Sequence, residues 1–386
     1  MSNKCLACGN NPISHWSERL NASIELILIP IGLALNRLKL QSALNGLAEL
    51  IIRLITNLLI FFNVARYTDD PDLTISPRAQ VLKEEAKKRN IKMEVLVVGK
   101  QVTDNFRARL KNRTIYFMSL PRPYETPALV WIDDKARLKK LFQKYEIPAP
   151  AGLSSNKYED ILKCFENLHK PVIVKPRLGS RGRHTTLFVN TAQDLAEAFK
   201  LARQLCPEVI IEEQLFGAVY RGTVINGKLV GVLKGEQPQI TGDSKKNIYN
   251  LINEMNSSRP RGVNEFIISE NTREFLKRQN VTLETILPMN QKVLLSEKIG
   301  VSYGGRSEEV TAITHPKILE ILEKAARLIN DPILGFDFII PSVSISPDEQ
   351  KWGIIECNTV PFINLHHHPL IGTPNNVARH IWDLFT

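Results

Sequence analysis

The chain has 386 residues, of which 43% are hydrophobic and 23% charged. That is the composition of an ordinary globular protein with material for roughly two or three domains. The formal charge is +10, yet no Lys/Arg block interleaves with aromatics, so polyphosphate explains the excess better than nucleic acid. Five cysteines, an odd and mostly isolated set, argue against a secreted disulfide framework and for a reducing cytoplasm.

Residues 1–20 are polar and lack the arrangement of a cleavable signal. Cys5 and Cys8 form a C-x-x-C with His15 as a third ligand to consider. Because no second such pair exists, two free thiols outweigh zinc, with a site shared between two chains as the remaining option. Residues 21–66 are apolar at helical spacing, with Leu50, Ile51, Leu54, Ile55, Leu58, Leu59 and Phe62 on one side of Arg53 and Asn57. The uncharged run Leu54–Ala65 falls short of the ~20 residues that span a bilayer. An amphipathic helical hairpin follows, expected to pack on the rest or dimerise rather than rest on a membrane surface.

Thr68 to Thr74 reads as a linker, Pro77 to Asn90 as a helix, and Met93–Val98 and Thr114–Leu120 as strands of a small open α/β domain. Asp133-Asp134-Lys135 starts a helix that runs to about Tyr145. Helices over Asn156–Leu168 and Ala192–Leu205 flank a strand that ends in Lys175, a basic loop from Arg177 to His184, and a second strand, Thr185–Asn190. Val209 to Leu215 is a buried strand carrying Glu212 and Glu213. Val219–Ile225 and Lys228–Lys234 form a hairpin about Asn226-Gly227. Residues 256–292 are a mixed insert without clear chemistry, Ser302–Ser307 is a glycine loop, and His315–Ile329 is a helix.

The chemistry concentrates near residues 335–366. Gly335–Ile340 and Trp352–Asn358 read as antiparallel strands around a polar turn. Glu356 and Asn358 share a face, and Asp337 can meet them from the neighbouring strand. Two carboxylates and an amide in an apolar setting repel or go unsatisfied unless a cation sits between them, whereas a solvated hairpin with ordinary surface acids, the better reading of this stretch alone, needs none. Oxygen-only ligands suit Mg²⁺ or Mn²⁺, which commonly also hold substrate phosphates. Lys175 with Gly179, Ser180, Arg181 and Gly182 supplies a glycine loop and positive charge for an anion. A strand after the loop, and no Gly-Lys-Ser/Thr, exclude a Walker A motif. His366, His367 and His368 are consecutive, so their side chains diverge, which argues against a triple ligand set and for one at the substrate with the others in packing.

Taken in order, these stretches resemble the ATP-grasp superfamily, in particular the ligase module shared by cyanophycin synthetase and the bifunctional glutathione synthetases. The resemblance covers about residues 75–386 and implies an ATP-grasp fold of the α/β (α+β) class. Its lid subdomain would span 134–215 and its metal and substrate subdomain 216–386. A small open α/β domain at 68–133 and the helical extension at 1–67 would precede them. By resemblance, ATP and Mg²⁺ (or Mn²⁺) are the cofactors. Lys135, Lys175, Gly179, Ser180, Arg181, Gly182 and Lys234 would hold the phosphates, and Glu212, Glu213, Gln214 and Leu215 would read the base. Lys175, Arg221 and Arg306 would be catalytic, and Arg306, Asn364 and His366 would hold a carboxylate-bearing amino acid or peptide. Asp337, Glu356 and Asn358 would ligate the metal. The activity implied is amide or peptide bond formation through an acyl phosphate. A nucleotide-binding structural or regulatory protein, or a membrane-peripheral one, stands as the alternative. Four positions depart from the pattern, one of them Gly235, which stands where a basic side chain is frequent, with Lys234 beside it to serve instead. Val219 stands where an acid usually binds ribose, His184 where glycine is usual, and Phe362 in place of a glycine in the substrate turn. Small molecules, not nucleic acid, are the expected partners, with homo-oligomer or membrane contact through residues 21–66.

Overall fold

The computed structural model describes residues 5–8, 13–38, 40–124, 126–179, 182–260, 263–296 and 299–385. Helices His15–Arg37 and Leu40–Phe61 form the expected hairpin. The first helix buries Ala22 and Ile29 against Leu178 and Cys206, with Trp131 alongside. At Gly32 an added Cβ would stand 2.6 Å from Val130 Cγ1, so this helix comes closer than any side chain would allow. The second helix leaves Leu50, Ile51, Leu54, Ile55, Leu58 and Phe61 exposed. Among the described residues, no helix is long and apolar enough to cross a membrane.

The hairpin runs directly into β1 (Ala65–Thr68), an edge strand of a four-stranded sheet with β2 (Lys92–Val98), β3 (Gln101–Arg109) and β4 (Thr114–Met118). The small domain therefore begins in the segment expected to end the helical extension. All its pairings are antiparallel, so it is a meander with one helix, Pro77–Lys88, rather than alternating strands and helices. That helix starts on Ser76, whose hydroxyl accepts from Ala79 N, with Pro77 following in the first turn. Its core is shared: Leu82, Val95 and Phe106 pack with Ile363, Val377, Ile381 and Trp382.

The lid subdomain holds β5 (Gly152–Ser155), β6 (Val172–Pro176), β7 (Thr186–Val189) and β8 (Val209–Glu213), in the order β5-β8-β6-β7. Helices Tyr158–Asn167 and Ala192–Ala202 cover it and enclose Ile161, Val174, Leu195 and Ile211. The second of these begins with a reciprocal capping box between Thr191 and Asp194.

The last subdomain is built on β9 (Ala218–Ile225), β10 (Lys228–Gly235), β13 (Ser307–Glu309), β14 (Ile333–Ile340) and β15 (Gly353–Asn358). These form one sheet in the order β13-β10-β9-β14-β15. Asn226 and Gly227, at φ 50° and 72°, make the β9–β10 turn, the left-handed pair that a two-residue hairpin needs. Helix Pro316–Ile329 lays Ile318, Leu322 and Ala325 on the sheet against Phe336 and Phe338. Between β10 and β13, the pair β11 (Gln239–Thr241) and β12 (Lys292–Leu294) and two helices enclose a separate small core of Ile248, Leu276, Leu287 and Leu295.

Candidate active site

Strand register assembles the central row. Arg221 on β9 lies opposite Asp337 on β14, and Asp337 lies opposite Glu356 on β15. Arg221 grips Asp337 with two hydrogen bonds, Nε to Oδ1 at 2.6 Å and the terminal nitrogen to Oδ2 at 2.7 Å. Burial opposes the guanidinium charge, but Asp337, and Glu356 behind it, hold its pKa above the ordinary arginine value. Arg221 and Asp337 thus hold each other in register across the two strands.

Asn358, two residues beyond Glu356, carries a buried Oδ1 with no hydrogen-bond partner among the described residues. A buried acceptor left alone costs about 1–3 kcal/mol. Asp337, Glu356 and Asn358 therefore offer an all-oxygen set with one orphaned lone-pair group, and this set fits a hard divalent cation.

Lys135 ties these strands to the glycine loop. Its Nζ lies 3.7 Å from Glu356 Oε1 and donates to the Gly179 carbonyl at 2.6 Å. Asp134 sets its position by capping the helix Lys135–Lys144 through Ala136 N and Arg137 N. Asp134 itself is fully buried and held by Arg177 at 2.8 and 2.5 Å. Arg177 also reaches Glu208 at 2.6 Å, and its pKa stands raised because Asp134 accepts its hydrogen bonds. Gly179 and Gly182 have φ of 128° and 59°, with open space where a Cβ would be. Ser180 and Arg181 lie outside the described residues.

Lys175 points at a partner the sequence did not disclose. Glu212, 2% exposed, accepts from Lys175 Nζ at 2.5 Å and from Lys139 Nζ on its other oxygen. Burial alone would raise the Glu212 pKa, but the two ammonium groups outweigh it and lower it. Burial depresses the Lys139 pKa in spite of Glu212. Glu213 is also engaged, by Lys351 Nζ at 2.6 Å and Ala151 N at 3.1 Å. Neither acid is left to replace the missing one at Val219. Gln214 accepts from Phe188 N at 2.8 Å, and Leu215 is buried beside it. Lys234 sits 3.6 Å from both Glu236 and Glu308.

The expected substrate residues divide. Arg306 is exposed on the glycine loop. Asn364 opens the short helix Asn364–His367 and is half-buried. His366 is fully buried, with Nδ1 2.6 Å from Glu309 Oε2 and Nε2 2.9 Å from Thr223 Oγ1. Its ring lies on Gly231, where a Cβ would stand 2.5 Å from Cε1. With both nitrogens engaged and no exposed edge, His366 packs β10 against the C-terminal segment. The expectation of a substrate contact there is corrected. His367 likewise turns inward, its Nε2 accepting from Ala378 N at 3.0 Å.

Sequence reasoning missed Lys139 and Arg78. Lys139 follows Lys135 by one helical turn on a face with Ala136 and Phe142, and that spacing was a usable signal. The Arg78 and Arg221 guanidiniums stack on the Phe362 ring at 5.2 and 5.3 Å, and Arg78 Nε is buried without a partner among the described residues. No local pattern singled Arg78 out.

No family model matches the sequence. The chain is 28% identical over 260 residues to the cyanophycin synthetase of a Synechocystis species, covering 65% of this chain and 30% of that protein. It is 30% identical over 260 residues to the cyanophycin synthetase of Geminocystis herdmanii, again covering 65% of this chain and 30% of the relative. It is 28% identical over 316 residues to the bifunctional glutathione biosynthesis protein of Listeria monocytogenes, covering 79% and 40%. The chain thus spans well under half the length of these relatives. Among solved structures it superposes on a bifunctional glutathione synthetase from Pasteurella multocida with a TM-score of 0.60 at 22% identity, over 80% of this chain and 43% of that one.

Proposed function

Starting from a chain with the ATP-grasp fold, related to cyanophycin and glutathione synthetases, we propose an ATP-dependent carboxylate–amine ligase acting on an amino acid or short peptide. The observation that carries this reading is the Arg221–Asp337–Glu356 row beside the orphaned Asn358 Oδ1, joined through Lys135 to the glycine loop. In the reaction, a substrate carboxylate oxygen attacks the γ-phosphorus of ATP and ADP leaves. The amine then attacks the acyl carbon, phosphate leaves, and the amine proton passes to solvent or phosphate.

The protein's part is positioning and charge neutralisation. Lys135 and Lys175 face the phosphates, with Glu212 holding Lys175 in place. The loop around Gly179 and Gly182 closes over them and excludes water that would hydrolyse the acyl phosphate. Asp337, Glu356 and Asn358 would hold magnesium, which when bound offsets the charge on the transferring phosphoryl group. Arg78, whose Nε lacks a partner among the described residues, receives the substrate carboxylate beside Phe362, in place of His366. Five free cysteines fit a reducing cytoplasm.

ADP release measured against a panel of amino acids and short peptides tests the assignment. Glu356→Gln retains volume and removes one charge, so turnover should fall by the equivalent of about 3 kcal/mol or more, a hundredfold or greater. A folded Glu356→Gln protein with undiminished ADP release would refute it.

A further inference from the structure

We propose that Cys5, Cys8, His15 and His184 form a closed zinc site that fastens the N-terminal segment to the end of the glycine loop. One ligand atom from each of the four lies within 4.8 Å of every other. Cys8 Sγ stands 3.1 Å from His15 Nε2 and 3.3 Å from His184 Nε2, and Cys5 Sγ stands 3.5 Å from His184 Nε2. Zinc bonds of about 2.3 Å to sulfur and 2.0–2.1 Å to nitrogen set the S···N edge of a tetrahedron at about 3.5 Å. The observed spacings approach that edge. The two residues between the cysteines match the usual spacing of a structural pair.

Hydrogen bonding among the four does not explain the convergence. Both sulfurs aim at the same His184 Nε2, which has one proton or one lone pair to offer. The other His184 nitrogen, Nδ1, is 2.8 Å from the Leu201 carbonyl. An acceptor there fixes the proton on Nδ1 and leaves the Nε2 lone pair facing the sulfurs, as in the outer contact of metal-binding histidines. His184 is 1% exposed, so water does not compete for the position its Nε2 faces. Both thiols are unpaired by disulfide. Four protein ligands leave no open position, so the site is structural and not catalytic.

The location gives the site its consequence. His184 comes two residues after Gly182, and its backbone N–H donates to the Ala7 carbonyl at 3.3 Å. Leu178, at the other end of the loop, packs under helix His15–Arg37. Zinc would therefore fix the His184 end of the loop to the helix on which Leu178 already packs, and so limit how far the lid travels. That last point rests on the ligase reading; the metal site does not.

Purified full-length protein should carry about one zinc per chain by mass spectrometry of the metal. Cys8→Ser and His184→Gly should each reduce this at least tenfold, whereas Cys164→Ser should not change it. Glycine suits the His184 backbone, at φ 52°, so that variant should fold. Cobalt exchanged into the wild type should give thiolate charge-transfer and tetrahedral visible bands, absent from His184→Gly. Zinc-free protein that takes up no cobalt, a Cys5–Cys8 disulfide, or full zinc content in both variants would overturn the proposal. Stoichiometric zinc in a protein that releases no ADP would leave the site standing and count against the ligase alone.

Discussion

Glu212→Gln isolates the charge balance around Lys175 and Lys139. The substitution keeps shape and removes one negative charge from between Lys175 and Lys139, which have side chains only 12% and 10% exposed. Removing one partner from a buried pair costs about 3–5 kcal/mol, because the other charge stays behind without compensation. Lys139 bears most of this, since burial already lowers its pKa. In the variant it moves lower still, so the unfolded chain binds the extra proton over a wider range. Stability then rises with pH up to the unfolded lysine value. Urea unfolding followed by circular dichroism should show a loss of about 3–5 kcal/mol at pH 7, smaller at pH 9.5. Adding Lys139→Met should restore part of the loss, because the uncompensated ammonium is gone. A loss below about 1 kcal/mol at pH 7, in the range of an exposed pair, or no recovery with Lys139→Met, would refute the reasoning.

Val219 offers ribose no acceptor, and Glu212 and Glu213 are held by lysines. ATP and 2′-deoxy-ATP should therefore bind with similar Kd by calorimetry, and Val219→Glu should tighten ATP; a wild-type preference worth about 1–3 kcal/mol would contradict this. Burial pushes the His367 pKa down to about 4 while Nε2 accepts from Ala378 N. Its folded pKa lies below its unfolded one, so its contribution is complete above pH 6.5 and lost as pH falls toward 4. His367→Gln should flatten thermal stability across that window. Ile51→Glu with Ile55→Glu places charge on the exposed hairpin face. Sedimentation should show a smaller assembly if that face joins copies, whereas flotation with vesicles should drop if it meets lipid; no change in either would show that the face does neither.

Legibility in the sequence followed the range of the interaction. The Asn226-Gly227 turn, the Asp134 cap and the two strands carrying Asp337 and Glu356 were readable because turn chemistry, capping and two-residue alternation are local. β3 was missed because Asp104, Asn105, Arg107 and Arg109 hide its pattern; only Phe106 and Ala108 are buried. His366 was misread because residue type alone does not distinguish a buried, doubly bonded imidazole from one facing a cleft. Arg221 and Lys175 stood out by residue type and position, but their immediate partners, Asp337 and Glu212, depend on cross-strand and cross-subdomain contact. The cysteine pair was visible, but His184, 176 residues from Cys8, could join it only through the fold.

The core beneath the small sheet carries a consequence for biosynthesis. Leu82, Val95 and Phe106 are sealed by Val377, Ile381 and Trp382, and Trp382 Nε1 donates to the Leu82 carbonyl at 3.0 Å. A ribosome adding about 5–20 residues per second delivers Trp382 tens of seconds after Phe106. Throughout that interval the nascent sheet presents an unsealed apolar face. Chaperone occupancy should therefore outlast the emergence of the sheet's own strands and fall only once the segment from Ile363 to Trp382 is free to pack against them.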